Sequence, residues 1–247
     1  MVMPLRDDDT DRRTVPVVTY ALIAINLVVW LIELSLGDKF INGWSEVPFE
    51  ITHNTDLVGL QSIHAGGQSV SIHLYPGPKP IFLTLLSAMF MHASWLHIGG
   101  NMLYLWIFGD NIEDRIGHGK FLVFYLLCGI AASFAQIMVQ TNSMIPNLGA
   151  SGAIAGVLGA YLVLFPKRKV QVLVARQVVA WPAIMVLGLW IALQVFSQIS
   201  VVGEQEGGVA YMAHIGGFVA GLVLIFLFGG RRAPPPEDIL PGGRPLA

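Results

Sequence analysis

The stretch Asn147 to Tyr161 reads as an apolar helix with glycines down one side and a serine, Ser151, near its start. A serine in such a helix either bonds back to a carbonyl one turn earlier or presents its hydroxyl to something outside the helix. Gly152, Gly156 and Gly159 lie close to the same stripe as Ser151. Small residues let a second backbone approach closely, so the stripe predicts a neighbour packed against the serine.

His214 has a matching setting, because Gly217 and Gly221 follow it at i+3 and i+7 on one helical face. Two helices meeting along such faces bring a hydroxyl and an imidazole within hydrogen-bond reach. A serine hydroxyl attacks a carbonyl when a base takes its proton, and a neutral imidazole is suited to that task. Ser151 and His214 would then form a dyad. The oxyanion of the tetrahedral intermediate needs donors, and three are available: the Asn101 amide, a ring N–H of His97 and the backbone N–H of Ser151 near a helix start. His97 and Asn101 stand one helical turn apart, and no carboxylate lies at that depth to orient the histidine.

Other chemistries fit less well. A zinc protease would need two histidines at i and i+4 with a glutamate, whereas His92 and His97 are five apart. An aspartyl mechanism would need two intramembrane aspartates, and Asp110 has no partner at its depth. The three histidines of the first loop have no ligand spacing and read as surface residues, and Cys128 reads as a small buried hydrophobe. No metal and no cofactor is expected.

The elements that must carry these residues are membrane spans. Of 247 residues, 54% are hydrophobic and 12% charged, with a mean hydropathy of +0.65. Soluble domains carry roughly 25% charged residues. A net charge of -2 offers nothing to nucleic acid. Spanning a bilayer takes roughly 20 apolar residues, and six segments are read as spans: 15–36, 95–108, 121–139, 149–165, 178–202 and 209–229. Residues 1–14, mixed in charge, read as a short disordered cytoplasmic tail, and the Pro/Gly-rich 230–247 as a second one. Residues 37–80 form a long polar first loop, and the apolar run 81–91 is too short to span and suits an interfacial or re-entrant helix.

Basic residues orient the bundle. With the N-terminus inside, the inner segments hold twelve Lys and Arg and the outer ones only Lys39 and Lys79. Both termini are therefore expected in the cytoplasm. Spans two, four and six then run inward, and His97 with Asn101, Ser151 and His214 all fall in the outer half of their spans, at one shared depth. A channel or transporter would gather polar groups in the same way.

The residues His92-Ala93-Ser94-Trp95-Leu96-His97-Ile98-Gly99-Gly100-Asn101-Met102, then Gly149-Ala150-Ser151-Gly152, then Ala213-His214-Ile215-Gly216-Gly217, in that order on spans two, four and six, resemble the rhomboid intramembrane serine proteases. The resemblance covers residues 15–229. It implies an all-α polytopic membrane protein, a six-helix rhomboid-like bundle, whose first loop lies partly in the membrane. It implies Ser151 as nucleophile, His214 as its base, and His97 with Asn101 serving the oxyanion. Many members carry Trp-Arg in the first loop, where this chain has Trp44-Ser45, and some place an aromatic four residues after the serine, where it has Ala155. Inactive, client-binding members of the wider superfamily define the alternative outcome. The expected substrates are transmembrane proteins entering sideways from the lipid. They should carry Gly, Pro or polar residues near the outer face, because a regular helix hides its amides. With no targeting extension, a prokaryotic inner membrane is the expected location; the sequence does not specify an oligomeric state.

Overall fold

A computed structural model describes residues 3–8, 10–65, 68–200 and 209–229. In chain order the elements are β1 (Met3–Asp7), α1 (Val17–Leu36), α2 (Asp38–Trp44), α3 (Pro48–His53), β2 (Gly59–Ala65), β3 (Gln68–Leu74) and α4 (Thr84–Ser87) with a 3-10 turn on either side. They continue as α5 (Trp95–Ile116), α6 (His118–Val139), α7 (Ser151–Leu164), β4 (Lys169–Val174), β5 (Gln177–Pro182), α8 (Ala183–Ser200) and α9 (Tyr211–Leu227). The protein is a polytopic helical membrane bundle. Among the described residues α1, α6 and α8 are each long and apolar enough to cross a membrane. The segment Ile81–Phe90 and α5 pass the same test together but are bent by 79°, and α7 and α9 are shorter apolar helices.

Helix α7 forms the centre. Every residue from Gly152 to Tyr161 is buried, as expected of a helix that is apolar on all sides. Around it the helices alternate in direction. Cys128 and Ala132 of α6 lie against Gly156 and Gly152 of α7, which makes that pair antiparallel. Gly217 and Gly221 of α9 lie against the carbonyls of Gly152 and Gly156, which makes α7 and α9 parallel. On α8, Trp190 meets Phe218 and Gln194 meets His214, so α8 runs against α9. On α1, Thr19 bonds Glu113 while Trp30 packs on Trp95, so α1 runs against α5. Lipid tails are as apolar as the side chains, so contact between such helices depends on close packing and polar bonds rather than on water exclusion.

Glu113 supplies one of those bonds. Helix α1 begins after Pro16 with no side-chain cap of its own. The fully buried Glu113 carboxylate instead accepts the backbone N–H of Val18 at 2.8 Å and of Thr19 at 2.7 Å. Those are orphan donors of a helix start, where negative charge is favoured. The Thr19 hydroxyl and His118 Nδ1 complete the set, at 2.7 and 2.6 Å.

Three expectations are corrected. Residues 3–7 are not a disordered tail: they form β1, which pairs antiparallel with β4 in a sheet ordered β1-β4-β5. The charges there have partners far along the chain: Asp7 accepts from Tyr161 and Asn111 at 2.6 and 2.8 Å, and Arg12 meets Asp110 at 2.6 Å. The same bonds explain why α5 continues past Phe108 to Ile116, since its polar last turns have partners. Residues 178–182 belong to β5, not to a helix; Val178, Val179 and Trp181 suit a strand, and the β4–β5 turn holds Ala175 and Arg176 at positive φ. The 37–80 loop contains α2, α3 and the β2–β3 hairpin, and 81–91 is the short bent segment expected. The 230–247 tail lies outside the described residues.

Candidate active site

Ser151 is the first residue of α7, and the loop before it is tied down by three backbone hydrogen bonds. Glu46, just after α2, and Asn147 exchange backbone hydrogen bonds at 3.0 and 2.7 Å. The N–H of Gly149 donates to the carbonyl of Ala88 at 2.8 Å. Gly149 has φ +135°, a conformation that side chains rarely adopt, and a Cβ there would stand 2.9 Å from the His97 ring. Glycine therefore lets His97 and Ser151 share one corner of the site.

The glycine stripes carry the sequence reading into geometry. A Cβ on Gly217 or Gly221 would overlap the carbonyl of Gly152 or Gly156, so α7 and α9 touch backbone to backbone. That contact places His214 Nε2 2.7 Å from Ser151 Oγ. On the other side of the ring, Nδ1 lies 2.8 Å from Oε1 of Gln194 on α8. Trp190, one turn before Gln194, packs on the imidazole with ring centroids 5.7 Å apart. Residue 155 is alanine, and Trp190 supplies aromatic packing on the ring.

His97 is set by the start of α5. Ser94 is the N-cap, its hydroxyl accepting the N–H of His97 at 3.1 Å. Nδ1 of His97 accepts the N–H of Ala93 at 3.3 Å, so in the neutral ring Nε2 carries the proton and faces Gly149. The buried His92 packs edge-on against it, with centroids 5.0 Å apart, and His92 N–H donates to Glu33 of α1 at 3.0 Å. Asn101 is buried one turn further along α5, and its Nδ2 has no partner among the described residues. Of the four residues singled out in the sequence, Ser151 and His214 are directly bonded, His97 adjoins Gly149, and Asn101 holds an unused donor.

Behind Ser151 is a cavity of about 40 Å³ whose polar lining includes Glu46, Ser133, Gln136 and Asn147. Holding a water takes roughly 10–15 Å³ of such space, so the cavity admits water. Gln136 accepts the N–H of Ala213 at 3.2 Å, which fixes the residue before His214. Burial raises the Glu46 carboxyl to about 7, an effect opposed in part by hydrogen bonds from Ser133 and Asn147.

Sequence reasoning missed Gln194, Trp190 and this lining. A signal for Gln194 did exist: span five runs outward, so polar residues at shared depth should be sought near its end rather than its start.

A sequence model of the rhomboid domain matches residues 80–231, more than half of the chain, and includes every residue of the site except Glu33 and Glu46. The chain is 31% identical over 147 residues to rhomboid protein 1, mitochondrial, of Saccharomyces cerevisiae, covering 57% of this chain and 40% of that one. It is 33% identical over 100 residues to the human presenilin-associated rhomboid-like protein, mitochondrial, covering 40% and 26%. It is 29% identical over 166 residues to rhomboid-like protein 11, chloroplastic, of Arabidopsis thaliana, covering 64% and 56%. The matches thus span between about a quarter and just over half the length of these relatives. With the domain match extending across both glycine-faced helices and the site between them, the chain belongs to the rhomboid family.

Proposed function

We propose that this protein is an intramembrane serine endopeptidase that cleaves transmembrane segments of other membrane proteins with a Ser151–His214 dyad. The observation that carries the reading is the 2.7 Å contact between Ser151 Oγ and His214 Nε2. As Oγ attacks the scissile carbonyl, its proton passes to Nε2, and an acyl-enzyme forms when the imidazolium returns that proton to the leaving amine. Nε2–H of His97, the free Nδ2 of Asn101 and the backbone N–H of Ser151 at the start of α7 serve as oxyanion donors. A water held in the cavity lined by Glu46, Ser133, Gln136 and Asn147 then attacks the ester, with His214 again as base.

The reading takes the bundle as six crossings, supported by the alternating directions of its helices, with both termini in the cytoplasm, as the distribution of basic residues favours. Lipid surrounds it, substrates enter between helices, and the location is a prokaryotic inner membrane. No metal or cofactor takes part.

A fluorophosphonate probe applied in liposomes should label Ser151, and Ser151→Ala or His214→Ala should abolish labelling and cleavage. Nucleophile and base act as a unit, so either loss should cost several orders of magnitude. Full cleavage of a transmembrane substrate by Ser151→Ala would overturn the reading in favour of a client-binding or transport role.

A further inference from the structure

His214 is held at both ring nitrogens, and the two contacts do different things. Nε2 faces Ser151 Oγ at 2.7 Å, and Nδ1 faces the side-chain carbonyl oxygen of Gln194 at 2.8 Å. An amide oxygen accepts hydrogen bonds and cannot donate them, so the Nδ1 beside it must carry the proton. A neutral imidazole has one such proton, which leaves the lone pair on Nε2, where the proton of Ser151 has to go. The opposite tautomer would put an N–H on Nε2 and leave the serine without a base.

We infer that Gln194 is a positioning residue for His214: through its carbonyl oxygen it fixes the imidazole tautomer that can act as base. The inference rests on the protease reading for its consequence in rate, though not for its consequence in structure. An amide is also the group that physics favours there. A buried carboxylate at membrane depth would lose its hydration with no cation paired to it among the described residues, whereas an amide accepts the same bond with no net charge to desolvate. Trp190, at i-4 from Gln194 on the same face of α8, packs on the His214 ring and limits its rotation. Among the described residues, His97 is a titratable side chain that acts on His214. Its ring adjoins Gly149, whereas Nδ1 of His214 faces Gln194. The orienting group therefore comes from α8, while nucleophile and base belong to the glycine-locked pair α7 and α9.

The test compares Gln194→Leu, which keeps the bulk and removes the acceptor, with Gln194→Glu, which presents an acceptor oxygen in either protonation state. In liposomes Gln194→Leu should lower kcat by about 10- to 100-fold with KM unchanged, less than the ~10⁴-fold seen when a charged orienting aspartate of a soluble serine protease is neutralised. Gln194→Glu should stay within about tenfold of wild type. Equal losses in the two variants, or full activity in Gln194→Leu, would overturn the proposal. A second readout is independent of cleavage. In protein carrying 15N-histidine, the His214 signals, identified by their disappearance in His214→Ala, should show a protonated Nδ1. In Gln194→Leu they should move toward a mixture of the two tautomers. An unchanged tautomer in Gln194→Leu would overturn the role of Gln194. The same spectra can be recorded in a Ser151→Ala background, so the positioning role is decided even if the protease reading itself fails.

Discussion

Gly156 and Gly221 face each other across α7 and α9 so closely that the carbonyl of one occupies the space where a Cβ on the other would lie. The contact repeats one turn nearer the site between Gly152 and Gly217. The separation of Ser151 from His214 is thus set by four residues without side chains.

Replacing Gly217 or Gly221 by alanine should therefore leave insertion and topology intact while removing most cleavage. Overpacking costs roughly 1–3 kcal/mol, which a bundle can survive, but a displacement of about 1 Å can cost a hundredfold in rate. Gly119→Ala on α6, where a Cβ would meet nothing within 4 Å, is the control and should be neutral. Cleavage assays at matched expression, with a topology reporter on each variant, check this; a fully active Gly217→Ala would contradict it.

Asn101→Ala should reduce turnover by roughly two to three orders of magnitude or less, because one oxyanion donor is lost while His97 and the Ser151 backbone remain. Substrate binding should change little. Comparing kcat with KM in liposomes separates this from a folding defect, which would instead lower the amount of inserted protein.

Glu46 and Glu50 should make stability depend on pH. Burial raises each carboxyl from 4.5 to about 7. The folded state therefore retains protons that the unfolded state has released between those values, and the contribution of these two groups to stability is highest below about pH 4.5, falls as pH rises to about 7, and is flat above. For Glu46 the fall is about 3 kcal/mol, at ~1.4 kcal/mol per unit. Glu46→Gln should flatten that part of the slope and leave the part due to Glu50, as read from unfolding midpoints in micelles between pH 4.5 and 8. An identical slope in the variant would show that Glu46 does not carry the linkage.

Glu113→Ala should destabilise the protein by at least about 1–3 kcal/mol, the cost of leaving a buried donor unpaired, because the N–H groups of Val18 and Thr19 lose their acceptor together. The readout is the thermal midpoint in detergent. Glu113→Gln keeps an acceptor oxygen and should lose less.

The parts of the site legible in sequence were those set by local pattern. Ser151 and His214 stand out because polar residues in apolar helices are rare, and the glycines beside them fall at helical spacing. Gln194 was not legible in the same way, since its partner comes from an antiparallel helix twenty residues on and nothing local marks the pairing. Asp7 and Arg12 looked like a solvated charge run because their partners, Tyr161 and Asp110, lie about a hundred or more residues away. Val178 to Pro182 is short and apolar, a pattern that serves a strand or a buried helix equally, and only pairing with Lys169–Val174 decides it.

The pairing of β1 with β4 also sets an order of assembly. Residues 3–7 leave the ribosome before their partner strand, residues 169–174, which is made only after α1, α5, α6 and α7. Until then residues 3–7 have no strand edge to join. Closing this end of the bundle is thus a late event in biosynthesis, joining residues 3–7 to a hairpin synthesised more than 160 residues later.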